Sequence, residues 1–213
     1  MSEIDRPGPG EELNTESAAT KPRLAATIIL LRGGSESLEL LLVKRNPEAR
    51  FMGGVWVFPG GAVDRAEGDD DAALRTAALR ELDEEAGIVL PDPGALVPFS
   101  RWITPAEVKT RFDTWFFLAS APDGAEPQID GEEAVDSGWF TPQGALDAHT
   151  GGEILLVFPT IKTLEQLSAL DTADALVEHA RGKEIRPIQP KVVMGGETAR
   201  ILLPGEPGYD EVG

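Results

Sequence analysis

The sequence predicts an α/β domain built on a mixed sheet. Two kinds of observation carry that prediction. Short apolar runs rich in β-branched and aromatic residues are bounded by Gly and Pro turn signals, and they alternate with only a few helical segments. One segment, Asp70 to Ala86, switches to helical periodicity between strands, and two more amphipathic stretches follow late in the chain.

Residues 1 to about 22 are rich in Gly, Pro, Ser, Thr and Glu and are expected to be a disordered tail. Order is expected from Leu24, where AATIILLR reads as a buried strand stopped by Gly33-Gly34. Ser37–Arg45 (SLELLLVKR) reads as its hairpin partner. A short strand, Val55 to Phe58, runs into Pro59-Gly60-Gly61.

The helix that follows has Asp69, Asp70 and Asp71 as N-cap candidates and Gly87 as its C-terminal stop. At 100° per residue Ala78, Leu79, Leu82 and Ala86 share the face that packs on a sheet. Glu81, Glu84 and Glu85 share another, with Thr76, Arg80 and Asp83 toward solvent.

Beyond it, Gly94–Ile103 and Thr110–Leu118 read as strands, followed by an acidic loop from Ala121 to Gly131. Ser137–Phe140 is a short strand, and Thr141 caps a brief helix through Ala145. Thr160–Leu170 and Thr172–Ala180 read as helices, and the segment ARILLPGEPGY as one more strand and a tail. Residues 23–213 are thus expected to form a single domain, with a C-terminal extension from about 152.

Composition removes whole classes of function. The 213 residues carry 19 Lys+Arg against 37 Asp+Glu, a net charge of -18 that argues against binding nucleic acid. With no cysteine there is no disulfide, thiolate metal site or Cys nucleophile. His149 and His179 follow no metal-ligand spacing. The apolar run Leu24–Leu31 is far too short to span a bilayer, and the N-terminus lacks a signal-peptide pattern. The expectation is a cytoplasmic protein with no membrane partner.

The helix segment Arg80 to Ile88 holds the chemistry. Four residues beyond Glu81 and Glu84 stand Glu85 and Ile88, so no cation at i+4 relieves the crowded acids. Such carboxylates are either a solvated face or a site for a hard divalent cation, Mg²⁺ or Mn²⁺. Phe58-Pro59-Gly60-Gly61 just upstream allows close backbone approach to such a site, although Pro-Gly-Gly is also a common turn.

Arg80 to Ile88 matches REUxEExGU, the core of the Nudix box, and on these residues the chain resembles the Nudix hydrolases. The box opens with Gly, five residues, Glu, seven residues, Arg; here Gly61 and Arg80 lie five residues further apart. Counting back from Arg80 finds Ala72 in place of the early Glu, with Asp64, Asp70 and Asp71 as substitutes. A second pattern, LLTxRSx3Rx3Gx3FPGG, is followed from Leu41 through Arg45, Arg50 and Gly54 to Gly61, with Val43 for its Thr and Asn46 for its Ser. It accompanies Nudix enzymes acting on coenzyme A and its thioesters.

The resemblance implies a Nudix-type α/β/α sandwich with a central mixed sheet and a C-terminal helical extension. It also implies metal-dependent hydrolysis of a nucleoside diphosphate derivative and, from the habit of the family, a homodimer. Carried over by position, Glu81, Glu84 and Glu85 are catalytic metal ligands for Mg²⁺ or Mn²⁺, and Glu81 assists deprotonation of water. The Gly61 carbonyl and a later acid add ligands; Glu132 and Glu133 are best placed, Glu133 preferred, with a plain solvated loop as the alternative. Arg80, Gly60 and Gly87 are structural. Arg45 and Arg50 would meet substrate phosphates, although Arg45 also reads as a surface charge. Trp56, Trp102, Trp115 and Trp139 suit core packing better than stacking on a base. Coenzyme A or acyl-coenzyme A is the implied substrate. The alternatives are an ADP-ribose or NADH pyrophosphatase, and a non-catalytic ligand sensor.

Overall fold

The computed structural model describes residues 3–4, 12, 14, 18–195 and 198–211. The chain forms β1 (Glu3–Ile4), β2 (Arg23–Arg32), β3 (Glu39–Arg45), β4 (Trp56–Val57), β5 (Gly60–Ala62) and α1 (Asp71–Ala86). Next come β6 (Val97–Ile103), β7 (Phe112–Ser120), β8 (Ala134–Phe140), α2 (Pro142–Thr150), α3 (Phe158–Leu167) and α4 (Ala173–Ala180). The last strands are β9 (Pro187–Ile188), β10 (Lys191–Gly195) and β11 (Thr198–Leu202).

Among the described residues, eight strands make one mixed sheet in the order β4-β3-β2-β7-β6-β9, with β5 added on β2 and β8 on β3. β2 and β7 run parallel over their length, whereas β3, β4, β5 and β8 join antiparallel. Between its terminal arginines β2 is apolar except at Thr27, because both faces are covered. Ala26, Ile28 and Leu30 point toward α1, together with Leu74, Ala77, Ala78, Leu82 and Ala86 of that helix. Ile29 and Leu31 point the other way, into a second core with Leu164, Leu167 and Leu176 of α3 and α4. The period-2 alternation of the strand thus builds an α/β/α sandwich.

α1 begins where the aspartates predict. The Asp70 carboxylate accepts from Ala73 N–H at 2.9 Å, and Gly87 ends the helix at φ 63°, its N–H donating to Asp83 O. The apolar face is shifted from the one expected: Leu74 and Ala77 are buried, while Leu79 is only partly so. α2 runs on to Thr150 rather than Ala145, because Leu146 and Ala148 find apolar partners in the second core.

Four strands escaped the sequence: β1, β5, β9 and β10. β5 has no side chain larger than Ala, and β9 has two residues. β10 pairs β11 in a small sheet that also takes in β1. Of the expected tail, residues 1–2, 5–11, 13 and 15–17 lie outside the described residues. The described part is bonded to the domain: Glu3 and Ile4 pair with Arg200 and Ala199, and Asn14 N–H donates to Glu107 O. That is a correction to a free tail at those positions.

Gly87 combines a left-handed backbone with a tight neighbour, since an added Cβ would lie 3.0 Å from Gln128 Cβ. Gly87→Ala is therefore expected to lose about 1–2 kcal/mol of stability with an unchanged m-value, measured by urea unfolding.

Candidate active site

The site forms where α1 crosses the glycine strand. β5 pairs with β2 so that Gly60 faces Thr27 and Gly61 faces Ala26. A Cβ on Gly61 would collide with the Glu81 carboxylate, and one on Gly60 with Thr27. Only a backbone without side chains lets the acids of the helix come this close to the sheet.

Glu81 and Glu85, one turn apart on α1, both turn toward that backbone, and their residues are 9% and 1% exposed. Gly60 N–H donates to Glu85 Oε2 at 3.0 Å, and Arg45 Nη1 stands 3.6 Å from Glu85 Oε1. Glu133 reaches in from the loop before β8. One carboxylate oxygen from each of Glu81, Glu85 and Glu133 lies within 4.8 Å of the others.

Arg80 anchors the outer side. Its Nη1 donates to Glu81 at 2.8 Å and to Glu84 at 2.9 Å, its Nε to Glu67 at 3.1 Å, and its Nη2 to Ala62 O at 3.1 Å. The Glu67 hydrogen bond above all holds this guanidinium protonated well beyond its ordinary range.

Burial dominates the acids. Removal from water raises the Glu85 pKa to about 7, against the opposing pull of Gly60 N–H and Arg45, while Glu81 and Glu133 add repulsion. Burial likewise raises Glu81 against the hydrogen bond and charge of Arg80. At Glu67 burial also pushes upward, but the hydrogen bonds from Arg80 and Asp64 N–H and the Arg80 charge outweigh it, so this carboxyl lies below its ordinary value.

This donor set fits a divalent cation. Three acids converge, two of them buried; Arg80 is hydrogen-bonded to Glu81, but Arg45 is too far from Glu85 for a hydrogen bond. Hard oxygen donors around a compact positive charge would relieve both the desolvation and the mutual repulsion.

The structure gathers some of the predicted residues and separates others. Glu81, Glu85 and Glu133 meet over Gly61, with Gly60 holding Glu85. Glu84 stays apart: it is exposed on the solvent side, tied to Arg80. Arg80 is half-buried among its acids rather than directed to solvent. Arg45 sits beside the acids, whereas Arg50 is exposed in the following turn, where its charge acts on Glu12. Trp56 and Trp102 are in the core; Trp115 stacks under Arg101 and Trp139 under Arg32.

Among the described residues none of the three candidate substitutes for the early acid is hydrogen-bonded to Arg80, and Asp64 instead donates its N–H to Glu67 Oε2 at 2.7 Å. Asp70 caps α1 and Asp71 pairs with Arg75. Glu67 takes that place on Arg80, and the signal was present: with five residues between them Glu67 follows Gly61 at the spacing of the box, so the five extra residues fall between Glu67 and Arg80. Two further residues were missed. Asp130 accepts from Glu132, Glu133 and Ala134 N–H, and Asn46 bonds both Glu132 O and Glu133 O, which together fix the loop that delivers Glu133.

A mixed sheet between helical layers, with buried acids of one helix resting on a Pro-Gly-Gly turn, is the build of the Nudix class of hydrolases. Residues 21–156 match the family model of the NUDIX domain. The chain is 28% identical over 223 residues to putative nudix hydrolase 7 of Caenorhabditis elegans, covering 88% of this chain and 74% of that one. It is 24% identical over 324 residues to the acyl-coenzyme A diphosphatase NUDT19 of Homo sapiens, covering 99% and 84%. The crystal structure of a NUDIX hydrolase from Alicyclobacillus acidocaldarius aligns with a TM-score of 0.68 at 29% identity, over 75% of this chain and 96% of that one. This chain belongs to the Nudix family, and it is a hydrolase of pyrophosphate bonds.

The raised Glu85 pKa has a consequence for the metal-free protein. Between its ordinary value of 4.5 and about 7 the folded state holds more protons than the unfolded state. Stability should therefore fall as pH rises through that window, by on the order of 2–4 kcal/mol. Urea unfolding in EDTA between the two limits should show this slope, and Glu85→Gln should flatten it; an equal slope in the variant would refute the assignment.

Proposed function

We propose that the chain hydrolyses the pyrophosphate of coenzyme A or an acyl-coenzyme A, with Mg²⁺ or Mn²⁺ at the carboxylate cluster. Water adds across one P–O–P bond, releasing adenosine 3',5'-bisphosphate and phosphopantetheine or its acyl form. The convergence of Glu81, Glu85 and Glu133 over Gly61 carries the reading. The coenzyme A class is supported by the pattern from Leu41 to Gly61 and by the similarity to the human acyl-coenzyme A diphosphatase over 99% of the chain.

Glu81, Glu85 and Glu133 would hold the cation, with the Gly61 carbonyl as a further donor; Glu84 joins them only by leaving Arg80. When bound, the cation would neutralise pyrophosphate charge, acidify a water and stabilise the leaving phosphate. Glu81 takes the proton of the attacking water. One of its oxygens is committed to Arg80 and its pKa is raised by burial, which orients it and makes it a better base. Arg80 therefore acts by orientation, locked in turn by Glu67 and Ala62 O. Arg45 and Arg50 bind substrate phosphates.

Purified protein with Mg²⁺ or Mn²⁺ should convert coenzyme A and acetyl-coenzyme A to adenosine 3',5'-bisphosphate when the products are resolved chromatographically. Turnover of ADP-ribose or NADH but not coenzyme A would overturn the substrate class and leave the chemistry. Tight binding of one compound with no turnover of any would instead favour a sensor. Glu85→Gln should lower kcat by about 10³-fold or more while the fold is kept, since it removes a buried charge at constant shape. Full activity in that variant would refute the site.

A further inference from the structure

Arg45 is held in an unusual state. Its N–H donates to Val55 O at 2.9 Å, its carbonyl accepts from Gly54 N–H at 3.2 Å, and the N–H of Asn46 donates to Glu133 O at 2.9 Å. The backbone is thereby pinned between the strand leading to the Pro-Gly-Gly turn and the loop that carries Glu133. A register shift in the β3–β8 pairing falls between Lys44 and Arg45. The guanidinium is the opposite. Among the described residues it makes one ion pair, 3.6 Å from Glu85 Oε1, beyond hydrogen-bond reach, and its buried Nε has no partner.

A buried N–H without an acceptor is costly, and a guanidinium is built to engage two oxygens at once. Of the acids nearby, Glu85 accepts from Gly60 N–H through Oε2 and Glu81 accepts from Arg80, while Glu85 Oε1 stays 3.6 Å from the Arg45 guanidinium. A pinned backbone therefore presents an unsatisfied fork at the edge of the carboxylate cluster.

We propose that Arg45 is a substrate-binding residue which neutralises Glu85 in place of the divalent cation and turns to the phosphate oxygens of the substrate once the cation is bound. The inference rests on the cation reading above. A divalent cation and a guanidinium sharing Glu85 repel each other, and the guanidinium, which no hydrogen bond to Glu85 holds, gives way. Pyrophosphate oxygens then supply the paired acceptors that the fork lacks. Arg45 thus opposes cation binding in the free protein and favours substrate binding in the loaded one, so the two ligands are coupled through it, reciprocally.

Calorimetric titration with Mn²⁺ alone, at about pH 9 where protons compete little for the carboxylates, tests this directly. Arg45→Met should bind Mn²⁺ about tenfold more tightly than the wild type, and Arg45→Lys, which keeps the charge, within about threefold of it. With Mn²⁺ saturating, a methylene-bridged, non-hydrolysable pyrophosphate analogue should bind Arg45→Met about tenfold more weakly. Arg45→Met binding Mn²⁺ no more tightly than the wild type overturns the proposal alone. A wild-type protein that binds no Mn²⁺ overturns the cation reading and this proposal with it. A measurement on the wild type is independent of how the variants fold: the Arg45 Nε–H resonance should shift on saturation with Mg²⁺ and again with the analogue. A resonance unmoved by either overturns the proposal.

Discussion

Two carboxylates buried against a strand of glycine are the constraint around which the molecule is arranged. Glu81 and Glu85 lie on the face of α1 that also carries Leu74, Ala78 and Leu82, so the forces that dock the helix also take the acids out of water. Glycine at 60 and 61 is the steric condition, because any side chain there would occupy the space of the carboxylates or of Thr27. The electrostatic condition is met in part, by Gly60 N–H, Arg45 and Arg80. The remaining penalty keeps the pKa of both acids raised, and a buried like-charged pair of this kind is what a hard cation relieves.

The two-sided sheet makes that arrangement rigid. β2 sends alternate residues into separate cores, so it cannot slide by one position without exchanging all its buried contacts. β5 hangs on β2 and α1 packs across both, which fixes the glycine backbone and the acids in one frame. The helices α3 and α4 cover the opposite face and take no part in the cluster. Their contribution is to close the second core, without which β2 would expose Ile29 and Leu31.

Electrostatic support is layered outward from the cluster. Arg80 bridges Glu81, Glu84, Glu67 and the Ala62 carbonyl, joining helix, glycine strand and the intervening loop through one side chain. On the other side Asp130 and Asn46 shape the loop of Glu133 through backbone hydrogen bonds, so an exposed acid from a distant part of the chain reaches the helix. Arg45 is less fully engaged than Arg80, since its buried Nε has no partner and its one ion pair among the described residues is 3.6 Å long.

The sequence by itself determined the helix, its caps and the class of the protein, because these are local: a capping aspartate, a glycine stop and nine contiguous residues of a box. It also determined which strand is buried, since the run Leu24–Leu31, apolar but for Thr27, has no other stable place. The tertiary structure decided the rest. Periodicity grouped Glu84 with Glu81 and Glu85, yet only docking on the sheet chose the two that are buried and left the third with Arg80. Strand β5 carries no apolar signal and exists by virtue of pairing with β2. Glu133 and Arg45 are separated from Glu85 along the chain by segments whose paths obey no local rule. Their meeting follows from sheet order, and from hydrogen bonds whose partners lie tens of residues away.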